Sequence, residues 1–243
     1  MQIDLKPDEK IEDLQCGGLR IIQSDSEYRF TTDAVLLANF CDCKGKLCVE
    51  FGAGSGVISL LLAYKKRPRR IVAFEIQPQL CDMMQRSVAL NDLQDVITVH
   101  NCDLKDAHTL VKDVDVVVCN PPYRRVGSGE QQLSANLAIC RHEIKVTLED
   151  VICSASRILN NRGKFYLVHQ ADRLAEIVTL CAKYNVAVKE ILPVCPAPNK
   201  EPNLVLVRGV KAGEPDCKLR APMYICDEHG NYTPEAKAWY GID

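Results

Sequence analysis

Two short segments of this 243-residue chain carry residue types that can do chemistry together. The first is Asn120-Pro121-Pro122-Tyr123, which follows the apolar run Val116–Cys119. Two consecutive prolines can neither extend a β-ladder nor sit inside a helix, so the backbone is held stiff there. The Asn120 side-chain oxygen and the Pro121 carbonyl can both accept from one amino group. Two acceptors on one NH2 draw its lone pair out of conjugation, and Tyr123 offers a flat face for a planar amide or base. This arrangement suits methylation of a poorly nucleophilic nitrogen, such as an exocyclic adenine amine or a glutamine amide. A methyl donor with a good leaving group needs no strong general base, so orientation and electrostatic stabilisation carry the reaction.

The second segment is Glu50-Phe51-Gly52-Ala53-Gly54-Ser55-Gly56, between a predicted strand and a predicted helix. Glycines at alternate positions allow a tight turn and a close approach of backbone to ligand. The Gly-Lys-Ser/Thr ending of a phosphate loop is absent, and the spacing is not that of a dinucleotide fingerprint. A second predicted strand ends in Phe74-Glu75, where a carboxylate can accept from a ribose diol. A third leads into Asn101-Cys102-Asp103, where a carboxylate can accept from an adenine amine. Three such signals at successive strand ends define one edge of a sheet.

The elements that must position these residues alternate short β-rich runs with amphipathic helical stretches. That pattern predicts an α/β fold with a mainly parallel sheet. Predicted strands are Lys46–Phe51, Arg70–Glu75, Val96–His100, Val114–Cys119, Lys164–Val168, Val186–Leu192 and Leu204–Arg208. Their continuous Val/Ile/Leu character fits strands covered on both faces. Predicted helices are Gly56–Lys66, Pro78–Asn91, Ile144–Leu159 and Arg173–Tyr184. A short helix, Ala34–Phe40, is capped by Thr32 or Asp33. The chain divides into a lead-in (1–45), a central domain (46–210) and an extension (211–243) that reads as irregular or as a final hairpin.

Composition is ordinary for a globular protein, with 47% apolar and 26% charged residues, which excludes disordered, collagen-like and coiled-coil classes. Thirty basic against 32 acidic residues, net −2, excludes a wholly basic nucleic-acid coat but not a local patch. No apolar run approaches the roughly 20 residues of a membrane span, and the polar Met1–Asp13 has no secretory character. The 13 cysteines are odd in number, lack any Cys-x-x-Cys pair and fall mostly in apolar stretches. They read as reduced thiols in a cytoplasmic protein. Cys16, Cys41, Cys43 and Cys48 lack the paired spacing of a zinc site, and no metal is assigned.

The Glu50–Gly56 loop, Glu75, Asp103 and Asn120–Tyr123 resemble the motifs of class I S-adenosylmethionine-dependent methyltransferases. Tyr28–Ala38 and Ala138–Glu143 are similar to bacterial tRNA adenine-N6 methyltransferases that modify the adenine beside the anticodon of a valine tRNA. The resemblance covers roughly residues 28–208. It implies a Rossmann-like seven-stranded sheet, mostly parallel with an antiparallel last strand and helices on both faces. It also implies S-adenosylmethionine as cofactor and tRNA as partner. Gly52, Gly54 and Gly56, with Glu50, Phe51 and Ala53, would hold the methionine part. Glu75 and Ile76 would hold the ribose, Cys102 and Asp103 the adenine, and Thr31, Thr32 and Asp33 would close over the methionine end. The target adenine would flip out and stack on Tyr123, its amino protons accepted by Asn120 and Pro121, with Pro122 keeping the turn rigid.

Arg124 and Arg125 follow the tetrad and can bind phosphates of an RNA loop; Arg141 and His142 line the same mouth. The run Lys65, Lys66, Arg67, Arg69 and Arg70 falls between a helix end and a strand start, away from that edge, and reads as a solvated helix terminus. Protein glutamine methylation of the release-factor type is the first rival; 45 residues before the first strand are too few for the helical domain of those enzymes. Ribosomal RNA methylation stays open. DNA adenine methylation lacks a target-recognition domain, and cytosine-C5 methylation lacks a nucleophile in Pro121-Pro122. A non-catalytic RNA-binding factor and a nicotinamide-dependent dehydrogenase complete the alternatives.

Overall fold

The computed structural model describes residues 4–24, 32–122 and 146–242. The central sheet is built from seven principal strands. They are β3 (Leu47–Phe51), β4 (Arg70–Glu75), β5 (Ile97–Asn101), β6 (Val114–Cys119), β7 (Leu159–Gln170), β8 (Val186–Cys195) and β9 (Leu204–Lys211). Their order across the sheet is β5-β4-β3-β6-β7-β9-β8. All neighbours are parallel except β9, which runs antiparallel to both β7 and β8. The order reverses between β3 and β6, and ligands of open α/β sheets bind in the crevice beyond such a reversal.

Side-chain alternation splits the core in two. Cys48, Val116, Val118, Tyr166 and Val168 face one layer; Val49, Phe51, Val117, Cys119, Phe165 and Leu167 face the other. The first layer is covered by α1 (Thr32–Phe40), α2 (Val57–Lys66) and α3 (Pro78–Leu90). The second is covered by α4 (Leu148–Ile158) and α5 (Leu174–Lys183). Helix α3 starts with Pro78, whose missing N–H costs nothing in a first turn. Helix α4 opens with a capping box between Thr147 and Asp150.

The structure differs from the sequence reading in four places. The lead-in contains an antiparallel hairpin, β1 (Glu9–Asp13) with β2 (Arg20–Ser24), turned through Gly17 and Gly18 at positive φ. Thr32 is the first residue of α1 rather than its cap. Strand β7 starts at Leu159, because Asn160–Gly163 stays in the strand through a register shift instead of forming a separate turn. The extension is not an irregular tail. Two-residue strands β10 (Lys218–Leu219) and β11 (Met223–Tyr224) run parallel to the edge of β8, giving nine strands in all, and α6 (Pro234–Tyr240) follows. Ala236 and Met223 are buried in the same apolar layer as α1 and α2.

Candidate active site

Strands β3, β4 and β5 end together, and the loops that leave them are stitched to one another. Ala53 N–H donates to the Phe74 carbonyl at 3.1 Å, and Cys102 N–H to the Glu75 carbonyl at 3.1 Å. Asn101 Nδ2 donates to the carbonyls of Glu75 and Ile76, each at 2.9 Å. The glycine loop thus stands in a fixed position over the strand ends.

Within that loop Gly52, Gly54 and Gly56 all have positive φ, at 64°, 56° and 99°. Their surroundings divide them. A Cβ on Gly52 or Gly54 would meet no described atom within 4 Å, so among the described residues both face open space. A Cβ on Gly56 would come within 2.7 Å of Met84 Cγ. Gly56 is the N-cap of α2 and lets that helix pack against α3. The first two glycines leave room for a ligand; the third makes room for a helix.

The two glutamates at these strand ends are both buried, at 1% and 4% exposure, yet they differ in what they bind. Glu50 lies under the loop and accepts from the Ser59 hydroxyl of α2. Desolvation is the main cause that pushes its carboxyl up to about 8. Glu75 accepts from Gly54 N–H and Gln77 N–H, each at 2.8 Å. Burial raises its pKa, and those backbone donors act in the opposite direction. Asp103 caps the short 3-10 turn Leu104–Thr109, accepting from Lys105 N–H at 2.9 Å, and pairs with Lys105 Nζ at 3.2 Å. Its neighbour Cys102 is half-buried, with its Sγ toward the Asp103 carbonyl.

The fourth strand ends beside this cluster, since β3 and β6 pair through Phe51 and Cys119. Asn120 is half-buried, Pro121 buried and Pro122 exposed. Cys119 is fully buried, and desolvation holds its thiol well above the ordinary range, so it is no nucleophile.

The methyltransferase small domain family matches residues 30–187, well over half of the chain. The chain belongs to the methyltransferase small domain family. Among curated relatives, a Porphyromonas gingivalis tRNA1(Val) (adenine(37)-N6)-methyltransferase is 29% identical over 195 residues, covering 76% of each protein. The fold is also similar to a solved structure from Agrobacterium tumefaciens, described as a predicted O-methyltransferase. Its TM-score is 0.69 at 23% identity, over 86% of this chain and 95% of that one. TYW2 of Pyrococcus horikoshii, solved in complex with MeSAdo, has TM-score 0.61 at 14% identity, over 86% of this chain and 73% of that one. The family makes this a methyltransferase, and its loop and strand-end motifs imply S-adenosylmethionine as the cofactor to be tested against the site. The site fits that cofactor on two observations. Two loop glycines face open space, and a buried amide oxygen beside the loop, on Gln23, has no hydrogen-bond partner.

In this methyltransferase Gly52, Ala53, Gly54, Glu75, Ile76, Cys102, Asp103 and Asn120 share the carboxyl edge of the sheet. Glu50 and Phe51 point below it into the protein, both essentially unexposed. Thr32 and Asp33 begin α1. Thr31, Tyr123, Arg124, Arg125, Arg141 and His142 lie outside the described residues, so their placement stays an expectation. Among the described residues no group of His, Cys, Asp or Glu could hold a metal ion. No helix among them is long and apolar enough to cross a membrane.

Three neighbours of this edge were not singled out from sequence. Asn101 ties the second loop to the third. Gln23 reaches the glycine loop from the β1–β2 hairpin, donating from Nε2 to Ser55 Oγ. His169 lies on β7 two residues past the Leu167–Cys119 pair, level with the tetrad. It is buried; Gln170 N–H donates to its Nδ1 at 2.8 Å, and desolvation lowers its pKa. A polar residue closing an apolar strand was the available signal for Asn101 and His169. Gln23 had none, because the hairpin that carries it was not read as strand.

Proposed function

We propose that this protein methylates the N6 amine of an adenine in tRNA, with the adenine at position 37 of a valine tRNA as the target. The observation that carries this reading is the Asn120-Pro121-Pro122 turn, beside a glycine loop with open space in front of Gly52 and Gly54. The relatives' printed names supply the nucleic acid and the position.

S-adenosylmethionine, when bound, supplies an electrophilic methyl group on a sulfonium. Gly52 and Gly54 give its amino-acid end a close approach to backbone N–H groups at the start of α2. Glu75 and Asp103, at the next two strand ends, would hold its ribose and its adenine. Asn120 Oδ1 and the Pro121 carbonyl would accept hydrogen bonds from the amino group of the target base and so orient its lone pair for methylation. Positive charge that develops on nitrogen is stabilised by the same two acceptors. Tyr123 stacks on the flipped base, and Arg124, Arg125, Arg141 and His142 hold the surrounding RNA. The lead-in (1–45) covers the cofactor side of this site, the central part (46–210) carries the chemistry, and the protein works in the cytoplasm beside its substrate.

The test is methyl incorporation from labelled S-adenosylmethionine into unmodified total tRNA, ribosomal RNA and a release-factor protein in parallel. N6-methyladenosine in tRNA is the expected product. Label in protein instead would move the assignment to glutamine methylation. As a control on the site, Asn120→Ala should lower methyl transfer by about a thousandfold, the scale of one lost transition-state contact set, while S-adenosylhomocysteine binding holds. Full activity in that variant removes Asn120 from the mechanism.

A further inference from the structure

Gln23 is 1% exposed, and its Oε1 is the one buried side-chain nitrogen or oxygen among the described residues with no hydrogen-bond partner. Its Nε2 donates to Ser55 Oγ and to the Ile22 carbonyl. Exchanging the amide's oxygen and nitrogen would not cure this, because the Ile22 carbonyl would then lose its donor. A buried amide atom left unpaired opposes folding, and an apolar side chain of the same shape would suit stability better. The amide therefore has a use other than stability.

Its surroundings say what that use is. The hairpin strand β2 is fastened to α3 on both sides of Gln23's level. Ser87 Oγ receives Ile22 N–H at 3.0 Å, Asn91 bonds both backbone groups of Arg20, and Arg86 forks onto Glu9 at 2.6–2.7 Å. So Gln23 reaches the glycine loop from a fixed platform. Ser55, which it holds, is 5% exposed and stands between Gly54 and Gly56. Gly54 N–H, one residue earlier, is held by Glu75. The loop, with left-handed backbone at three of five positions, is pinned at both residues immediately before the first turn of α2.

We propose that Gln23 is a positioning residue for the amino-acid end of bound S-adenosylmethionine. Through Ser55 Oγ it sets the glycine loop that receives that end. The proposal rests on the glycine loop being the cofactor site. The experiment compares two probes, S-adenosylhomocysteine, which has the amino-acid end, and methylthioadenosine, which lacks it. Binding of each is measured by calorimetry to the full chain, to Gln23→Met and to Ser55→Ala. Both variants should bind S-adenosylhomocysteine about tenfold more weakly, the size of one lost hydrogen bond, and methylthioadenosine as the wild type does. Equal losses for both probes would mark a merely structural residue and overturn the proposal; so would no loss for either. Ser55→Ala removes one hydroxyl and keeps the test alive if Gln23→Met does not fold. Failure of the unaltered protein to bind S-adenosylhomocysteine would instead sink the site reading itself.

Discussion

The two edges of the sheet use polar groups in opposite ways. At the amino edge, charges are spent on closing the structure. Lys65 Nζ donates to Asn39 Oδ1 at 3.0 Å and to the Trp239 carbonyl at 3.3 Å, and Lys66 Nζ to the Asn39 carbonyl at 2.9 Å. Asp115 receives Leu47 N–H at 2.9 Å and Asn160 Nδ2 at 3.0 Å, fixing the first residue of β3. At the carboxyl edge the groups are costly. Two buried glutamates have raised pKa values, and one buried amide oxygen has no partner. Structures keep such groups where a ligand repays them.

The contrast breaks first at the glycines. Gly54→Val places a branched side chain in the open space in front of the loop. S-adenosylhomocysteine affinity should fall by at least about a hundredfold, or roughly 2.8 kcal/mol, while left-handed strain costs only about 1–2 kcal/mol of stability. Gly56→Ala should do the reverse. Its Cβ meets Met84 at φ 99°, so overpacking and strain together remove about 2–4 kcal/mol. The folded fraction should then bind nearly as the wild type does. Titrations paired with denaturant unfolding read both quantities. If Gly54→Val binds normally, the open space is not the cofactor's.

The buried Glu50 sharpens the same contrast through pH. Its folded-state pKa, about 8, lies above its ordinary value of 4.5, so the folded protein binds the extra proton. The stability this contributes is full below the unfolded pKa and is lost as pH rises through about 8. Between pH 6 and pH 8 the loss from this group is about 2 kcal/mol. Glu50→Gln keeps the shape and cannot ionise. Its unfolding temperature should fall less over that interval than the wild type's, by about 4–8 °C. Parallel pH profiles for the two proteins would show that Glu50 is not held protonated.

How much of this was legible follows from where hydrophobic period and turn chemistry agree. Arg70–Glu75 and Val114–Cys119 match their predicted limits to the residue, because each is a short, mostly apolar run rich in valine and isoleucine between polar turns. The carboxyl-edge residues were visible for the same reason: polar residues that end such runs must stand at the sheet's edge. What escaped was held by tertiary contacts. Strand β1 (EKIED) carries one apolar residue, and it is a strand because β2 pairs with it and Arg86 clasps Glu9. Asn160–Gly163 lay outside the predicted strand and is a bulge between the Leu159–Val114 and Lys164–Val116 pairs, with Arg162 at positive φ. Gln23 could not be found by motif, since what distinguishes it is the absence of a partner, and that exists only in the folded chain. The separate duties of Gly54 and Gly56 were hidden likewise, because the sequence presents them as equals and only Met84 tells them apart.

The smallest expected effect tests the amino edge. Lys65, Lys66, Arg67, Arg69 and Arg70 form the densest basic run in the chain and would make a plausible RNA patch by charge alone. In the structure Lys65 and Lys66 are committed to carbonyls at the ends of α1 and α6, and Arg70 donates to Thr98 at 3.1 Å. Lys65→Met should therefore lower stability by about 0.5–1 kcal/mol, the worth of a half-exposed hydrogen-bonded charge. Arg69→Met, at an exposed position, should change stability by less than about 0.5 kcal/mol. Neither should alter how tRNA binding depends on salt. A lysine or arginine that contacts phosphate lowers the slope of log affinity against log salt by about 0.7–0.9 when removed. An unchanged slope in the Lys65→Met, Arg69→Met double variant leaves RNA recognition to the opposite edge. A slope reduced by more than one would put tRNA on both ends of the sheet and end this division of labour.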